Sequence, residues 1–228
     1  MKKPIAAAIV AALFSAGGLL APVFPVMSAT ATENVDPEAN MLLFSAYPFD
    51  TQRGHLIAPA PFSTNTPGGD TLQVLQFNGP VKQQWLDALS ARGIKPIQYV
   101  ANNGYIVWTD AAAKVQLTKL RSSATWLQFA APYYGFLKLD PALGARLSNS
   151  SGANDEVDVV VQVYRHANAE ATRRFVASKG ILSTNQLGPV GSGKASYNWA
   201  PILAFENLKL RVHLSDIAAI ADRADVTF

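Results

Sequence analysis

Apolar and polar positions along this chain fall into two blocks that follow the same order of periods. In residues 71–131, and again in 156–228, an apolar run of strand length precedes a stretch with helical spacing. Two more apolar runs follow, then a second helical stretch and a final apolar run. Each block predicts strand, helix, strand, strand, helix, strand. In the first block, Leu72-Gln73-Val74-Leu75-Gln76-Phe77 reads as a strand, and Asn78-Gly79-Pro80 breaks it. Val81, Trp85, Ala88 and Leu89 then share one helical face, closed by Gly93 as a C′ residue. Strands follow at 97–101 and 105–108, joined by Asn102-Asn103-Gly104, residues that tolerate positive φ. Asp110 can cap a helix whose Ala113, Leu117 and Leu120 face inward, before a strand at 126–130.

The second block opens with a valine-rich strand at 157–164. A helix at 167–179 turns Ala171, Phe175 and Val176 inward and ends at Gly180. A strand is expected at 181–187 and a long Gly/Ser loop at 188–201. Another strand follows at 208–214, and Ser215 can cap a helix carrying Leu214, Ile217, Ala218 and Ala221 on one face. A last strand starts at Asp225. The pattern predicts an α+β protein of two tandem ferredoxin-like (βαββαβ) antiparallel-sheet domains, the second truncated in its last strand. The domains are 71–146 and 156–228, with a Ser/Asn/Gly linker at 147–155. The central strands are apolar on both faces, whereas a half-exposed strand alternates. The helix-free sheet faces are therefore expected to pack, either on each other or on a further domain.

Before these blocks, Lys2 and Lys3 precede an uncharged stretch rich in Ala, Leu and Ile, and Ala29-Thr30-Ala31 is a small-x-small site. This reads as a signal peptide over 1–31 that sends the chain to the periplasm or outside the cell, the membrane being met only through that segment. An uncleaved anchor is the competing reading, weakened by Gly17, Gly18, Pro22 and Pro25. Residues 32–70, rich in Pro, Thr, Asn and Gly, read as an extended leader, with 41–47 as an apolar patch able to dock.

Charge narrows the partners. The net charge of +3 falls to +1 without Lys2 and Lys3, leaving 17 basic against 16 acidic side chains. That balance gives no basic face for nucleic acid. There is no cysteine, which removes disulfides and thiolate metal sites. His55, His166 and His213 fit no metal-ligand spacing. No cofactor and no metal are expected.

Catalytic motifs are sparse. Gly188 to Lys194 matches the G-x-x-x-x-G-K part of a phosphate loop. Ala195 stands where a hydroxyl should hold magnesium, and the following residues do not read as a helix, so a flexible hairpin loop is preferred. No G-x-S-x-G is present, and no serine has an evident base and orienting acid. Asp155, Glu156 and Asp158 read as solvated. Trp85, Trp108, Trp126, Tyr133 and Tyr134 read mostly as core, with Tyr133-Tyr134-Gly135-Phe136 as a contact segment.

Several runs carry a resemblance. Val74-Leu75-Gln76-Phe77-Asn78-Gly79-Pro80-Val81, Trp85-Leu86-Asp87-Ala88-Leu89, Gly93, and Tyr99-Val100-Ala101-Asn102-Asn103-Gly104-Tyr105-Ile106-Val107 resemble the N-terminal region of bacterial subtilisin-like serine proteases. Ala130-Ala131-Pro132-Tyr133-Tyr134, Tyr47-Pro48-Phe49-Asp50-Thr51 and the end of the second block extend the likeness over 45–228. The family's catalytic Asp, His and Ser motifs have no counterpart, so no catalytic residue carries over. The resemblance implies a non-catalytic exported prodomain-like region that templates and inhibits a subtilisin-like protease domain, in cis or in trans. Here the chain is a fragment or a truncated gene product, and the inhibitory tail is not represented. The candidate protease-docking surface is Tyr105, Val107, Trp108, Tyr133, Tyr134 and Phe136. The alternatives are a standalone periplasmic inhibitor or protein-binding module, and a phosphate-binding protein using 188–194.

Overall fold

The computed structural model describes residues 39–53, 56–64, 68–149, 154–181 and 199–227. The expected signal segment, the body of the 181–187 strand and the phosphate-loop motif lie outside them.

The first block forms a four-stranded antiparallel sheet from β3 (Thr71–Phe77), β4 (Lys95–Val100), β5 (Gly104–Thr109) and β6 (Leu127–Pro132). β1 (Met41–Leu42) and β2 (Phe49–Asp50) belong to the leader. The spatial order is β4-β5-β3-β6, with β3 and β5 central, the order of a split βαβ unit. The β4–β5 hairpin turns through Asn102 (φ 64°) and Asn103 (φ 62°), two left-handed residues of a type suited to it. Helices α1 (Gln83–Ser90) and α2 (Ala111–Ser123) cover one face. Trp85, Leu89, Ala113, Leu117 and Leu120 point onto Leu75, Phe77 and Val107 there. Asp110 caps α2, accepting from Ala113 N–H at 2.8 Å.

The second block repeats the plan. β7 (Glu156–Tyr164) pairs antiparallel with β9 (Phe205–His213) along its whole length. On the far edge of β9 lies β8 (Ala200–Ile202), and Ile181 N–H reaches Arg211 O on β9 at 2.7 Å. β8 thus forms inside the stretch expected to be loop, because Pro201 and Ile202 turn back at Leu203 onto Phe205. The expected fourth strand is a single bridge, Val163 with Val226, on the other edge of β7. α4 (Glu170–Lys179) and α5 (Ile217–Ala221) cover one face through Val176, Ile217 and Ile220. α4 is rotated from the expected face. Ala171 is exposed and Thr172 is buried, because its hydroxyl donates to the buried Asp225 carboxylate at 2.7 Å. Ser215 makes no cap, since Leu214–Asp216 is a 3-10 turn leading into α5.

Between the sheets, Gly135–Lys138 forms a 3-10 turn and α3 (Pro141–Ser148) runs into the expected linker. Neither was anticipated, although Asp140 followed by Pro141 is a helix start, and Asp140 accepts from Ala142 N–H at 2.8 Å. The leader departs most from expectation. Its Leu42, Phe44 and Phe62 are buried. Phe44 meets Tyr133 at 5.5 Å and Phe49 meets Phe129 at 5.6 Å. A polar network anchors it. Buried Gln76 donates to Asn102 O at 2.9 Å, and Gln128 donates to Asn40 Oδ1 at 3.0 Å and Gln76 Oε1 at 3.1 Å. The leader and both sheets share one apolar cluster.

Candidate docking surface

The six residues expected to form a docking surface are divided between the layers of the fold. Val107 is buried beneath the helices of the first sheet, and Tyr105 lies half-buried beside it. Trp108, Tyr133 and Phe136 are buried on the opposite side, and Tyr134 is half-buried there, stacked on Phe136 at 5.9 Å. These side chains are packing, not surface. Trp108 meets the Tyr164 ring at 5.0 Å and the His166 ring at 4.4 Å, so the second block already covers it. Tyr133 is covered by Phe44 and donates to Thr227 O at 3.3 Å. Burial of its phenol pushes the pKa up. The helix-free face of the first sheet is thus filled from within the chain.

The second sheet differs. Along β7 and β9 the alternation puts Val157, Val159, Leu208, Leu210 and Val212 under the helices. The other face carries Asp158 opposite Arg211, Val160 opposite Lys209 and Gln162 opposite Asn207. Arg211 grips Asp158 through two bonds of 2.8 and 2.9 Å, and Lys209 is exposed. Val160 is 41% exposed and Ile202, on the same face of β8, is 48% exposed. Leu203 at the hairpin tip is 90% exposed with φ 53°, a left-handed conformation costly for leucine. This face is covered at its Tyr164 end, where the ring packs on Trp108, and open around Val160 and Asp158, so the packing that the apolar strand pattern suggests is met only in part. Five valines in β7 mask an alternation set by their polar neighbours.

The titratable groups cluster where the two sheets meet. Asp225 is buried, and burial raises its pKa. Hydrogen bonds from His166 at 2.9 Å and Thr172 at 2.7 Å outweigh that and hold it below the usual carboxylate range. Arg223 joins by donating to the Thr172 hydroxyl at 2.8 Å. His166 has its other ring nitrogen, Nδ1, 3.3 Å from Asn168 N–H. Both nitrogens are engaged within the chain, Nε2 by Asp225 and Nδ1 by the Asn168 N–H, and the ring ties the junction together. Lys138 is buried and donates to Ala221 O at 2.7 Å and Arg223 O at 2.8 Å. Burial lowers its pKa to about 7, opposed by Asp222 and Asp225. His213 touches Asn154 O at 3.3 Å. Among the described residues no group of three His, Asp or Glu side chains could hold a metal ion, and no helix is long and apolar enough to cross a membrane.

A family profile described as a domain of unknown function (DUF8729) matches residues 30–133. The matched stretch joins the leader to the first sheet, as their packing does. No curated protein and no solved structure matches the chain.

Proposed function

We propose that this chain is a non-catalytic, exported docking module that engages a subtilisin-like serine protease domain, in cis or in trans, and stabilises and restrains it. The observation that supports the reading is the open face of the second sheet. Val160 and Ile202 offer apolar area there, bordered by Asp158, Lys209 and Arg211. An antiparallel sheet with one face under helices and the other exposed is free to receive a partner. A ligand that binds only the folded protease raises its stability by mass action, which is how such a module assists folding.

The test is a thermal melt and a sizing run of the purified chain with a subtilisin-type protease inactivated at its serine. A one-to-one complex with a raised protease Tm is expected. Val160→Asp and Lys209→Glu, both at exposed positions, should weaken it without unfolding the module. The absence of a complex overturns the reading, and peptide hydrolysis by the chain alone overturns its non-catalytic half.

A further inference from the structure

Leu203 sits where the backbone suits it least. The β8–β9 hairpin closes with a two-residue turn, Leu203-Ala204, between the paired Ile202 and Phe205. Leu203 takes φ 53°, a conformation open to glycine and strained for leucine. Glycine or asparagine fits such a turn without the clash. Strain of this kind persists only where the surroundings hold it. Here Arg165 does so at two successive carbonyls, donating from its backbone N–H to Ala204 O at 2.9 Å and from Nη1 to Leu203 O at 3.4 Å.

The strain is not offset inside the chain. Leu203 is 90% exposed, so no core contact compensates for it. It does not stand alone either. Ala200, Pro201, Ile202 and Ala204 are exposed beside it, and the apolar run spans the whole tip. A single exposed leucine is ordinary, whereas a continuous apolar run on a pinned turn has the make-up of a contact. The accessible charge there is cationic. Arg165 is 51% exposed, and Glu206, 3.5 Å from it, only 15%. Lys209 is exposed on the open sheet face.

We infer that Leu203 is the anchor of the docking surface proposed above, entering an apolar socket of the partner domain whose acidic rim meets Arg165 and Lys209. The inference rests on that docking and names its principal contact. Ile202 shares the open face with Val160, so the tip and the face belong to one contact. A pinned tip loses little freedom on binding, which suits a side chain that carries much of the affinity. A lipid surface is the other apolar partner. It receives a flexible loop equally well and gains nothing from a leucine held at φ 53°.

The test titrates the full chain against a fluorescent subtilisin-type protease inactivated at its serine. Leu203→Gly removes the side chain and the strain together. The free chain should keep or raise its Tm, while Kd for the complex rises about tenfold or more. A purely structural leucine would not separate these two readings. Leu203→Met keeps an apolar side chain and should bind as the unmodified chain does. Affinity should also fall as salt rises, and indifference to salt removes the acidic rim. An affinity unchanged by Leu203→Gly overturns the anchor, and the docking itself stands if Val160→Asp still weakens the complex. A free Leu203→Gly chain that melts several degrees lower overturns it too, since the leucine then serves the fold. No complex with the unmodified chain overturns both readings. Binding to vesicles of equal parts phosphatidylcholine and phosphatidylglycerol that Leu203→Gly abolishes overturns the assignment to a protein socket.

Discussion

Lys138 illustrates how one side chain ties the halves of this molecule together. Its ammonium leaves the 3-10 turn after the first sheet and closes on two carbonyls at the end of α5. Burial favours the neutral amine, so the folded pKa of about 7 lies below the ordinary 10.5. Between those values the unfolded chain holds a proton that the folded chain releases. Stability should therefore rise with pH across that window. Urea midpoints measured from neutral to alkaline pH should show this slope, and Lys138→Met should flatten it. Asp225 acts in the opposite range. Its folded pKa is depressed, so its contribution is present above the ordinary carboxylate value of 3.8 and is lost as pH falls through the acid range. Asp225→Asn should reduce the acid sensitivity of the urea midpoint.

At the scale of elements, caps and apolar spacing explain most of what forms. Asp110 satisfies an N–H at the start of α2, and Asp110→Ala should cost about 1 kcal/mol in chemical denaturation. The leader depends on aromatic burial. Phe44→Ala should cost about 3 to 5 kcal/mol by the same measurement, and should also expose the Tyr133 ring to quenchers. The first sheet and its helices were legible in the sequence because Trp85, Leu89, Leu117 and Leu120 repeat at helical spacing and Asn102-Asn103-Gly104 marks the turn. Four features were not. Gln76 and Gln128 look like outward strand positions, yet they are the polar contacts that anchor the leader, and only its fold brings Asn40 and Thr51 to them. α4 turned by one residue because Thr172 has a buried carboxylate to meet. The six aromatic and apolar residues expected at a docking surface carry a chemistry that core and interface share, and composition does not separate the two. The open face of the second sheet was hidden among its valines, although Asp158, Gln162, Lys209 and Arg211 alternate along it.

For the whole molecule, the leader and both sheets contribute to one apolar cluster. The two sheets should therefore not melt apart. Calorimetry should give one transition whose calorimetric and van't Hoff enthalpies agree. Trp108→Ala removes the ring that meets Tyr164 and His166 and should split that transition or lower it as a unit. Two separate transitions in the unmodified chain would show that the shared cluster does not couple them.

The long-range bonds at the junction also set an order of events. Leu72 N–H, on the central strand of the first sheet, donates to Ala224 O at 3.0 Å, and Tyr133 O–H reaches Thr227 O. A chain made from its N-terminus must therefore wait through some 150 residues before β3 meets its last partner. Closing so large a loop is slow. The leader's Phe44 and Phe49 can cover Tyr133 and Phe129 early, whereas Trp108 stays without its Tyr164 and His166 cover until the second block is made, which leaves that part of the aromatic face exposed the longest.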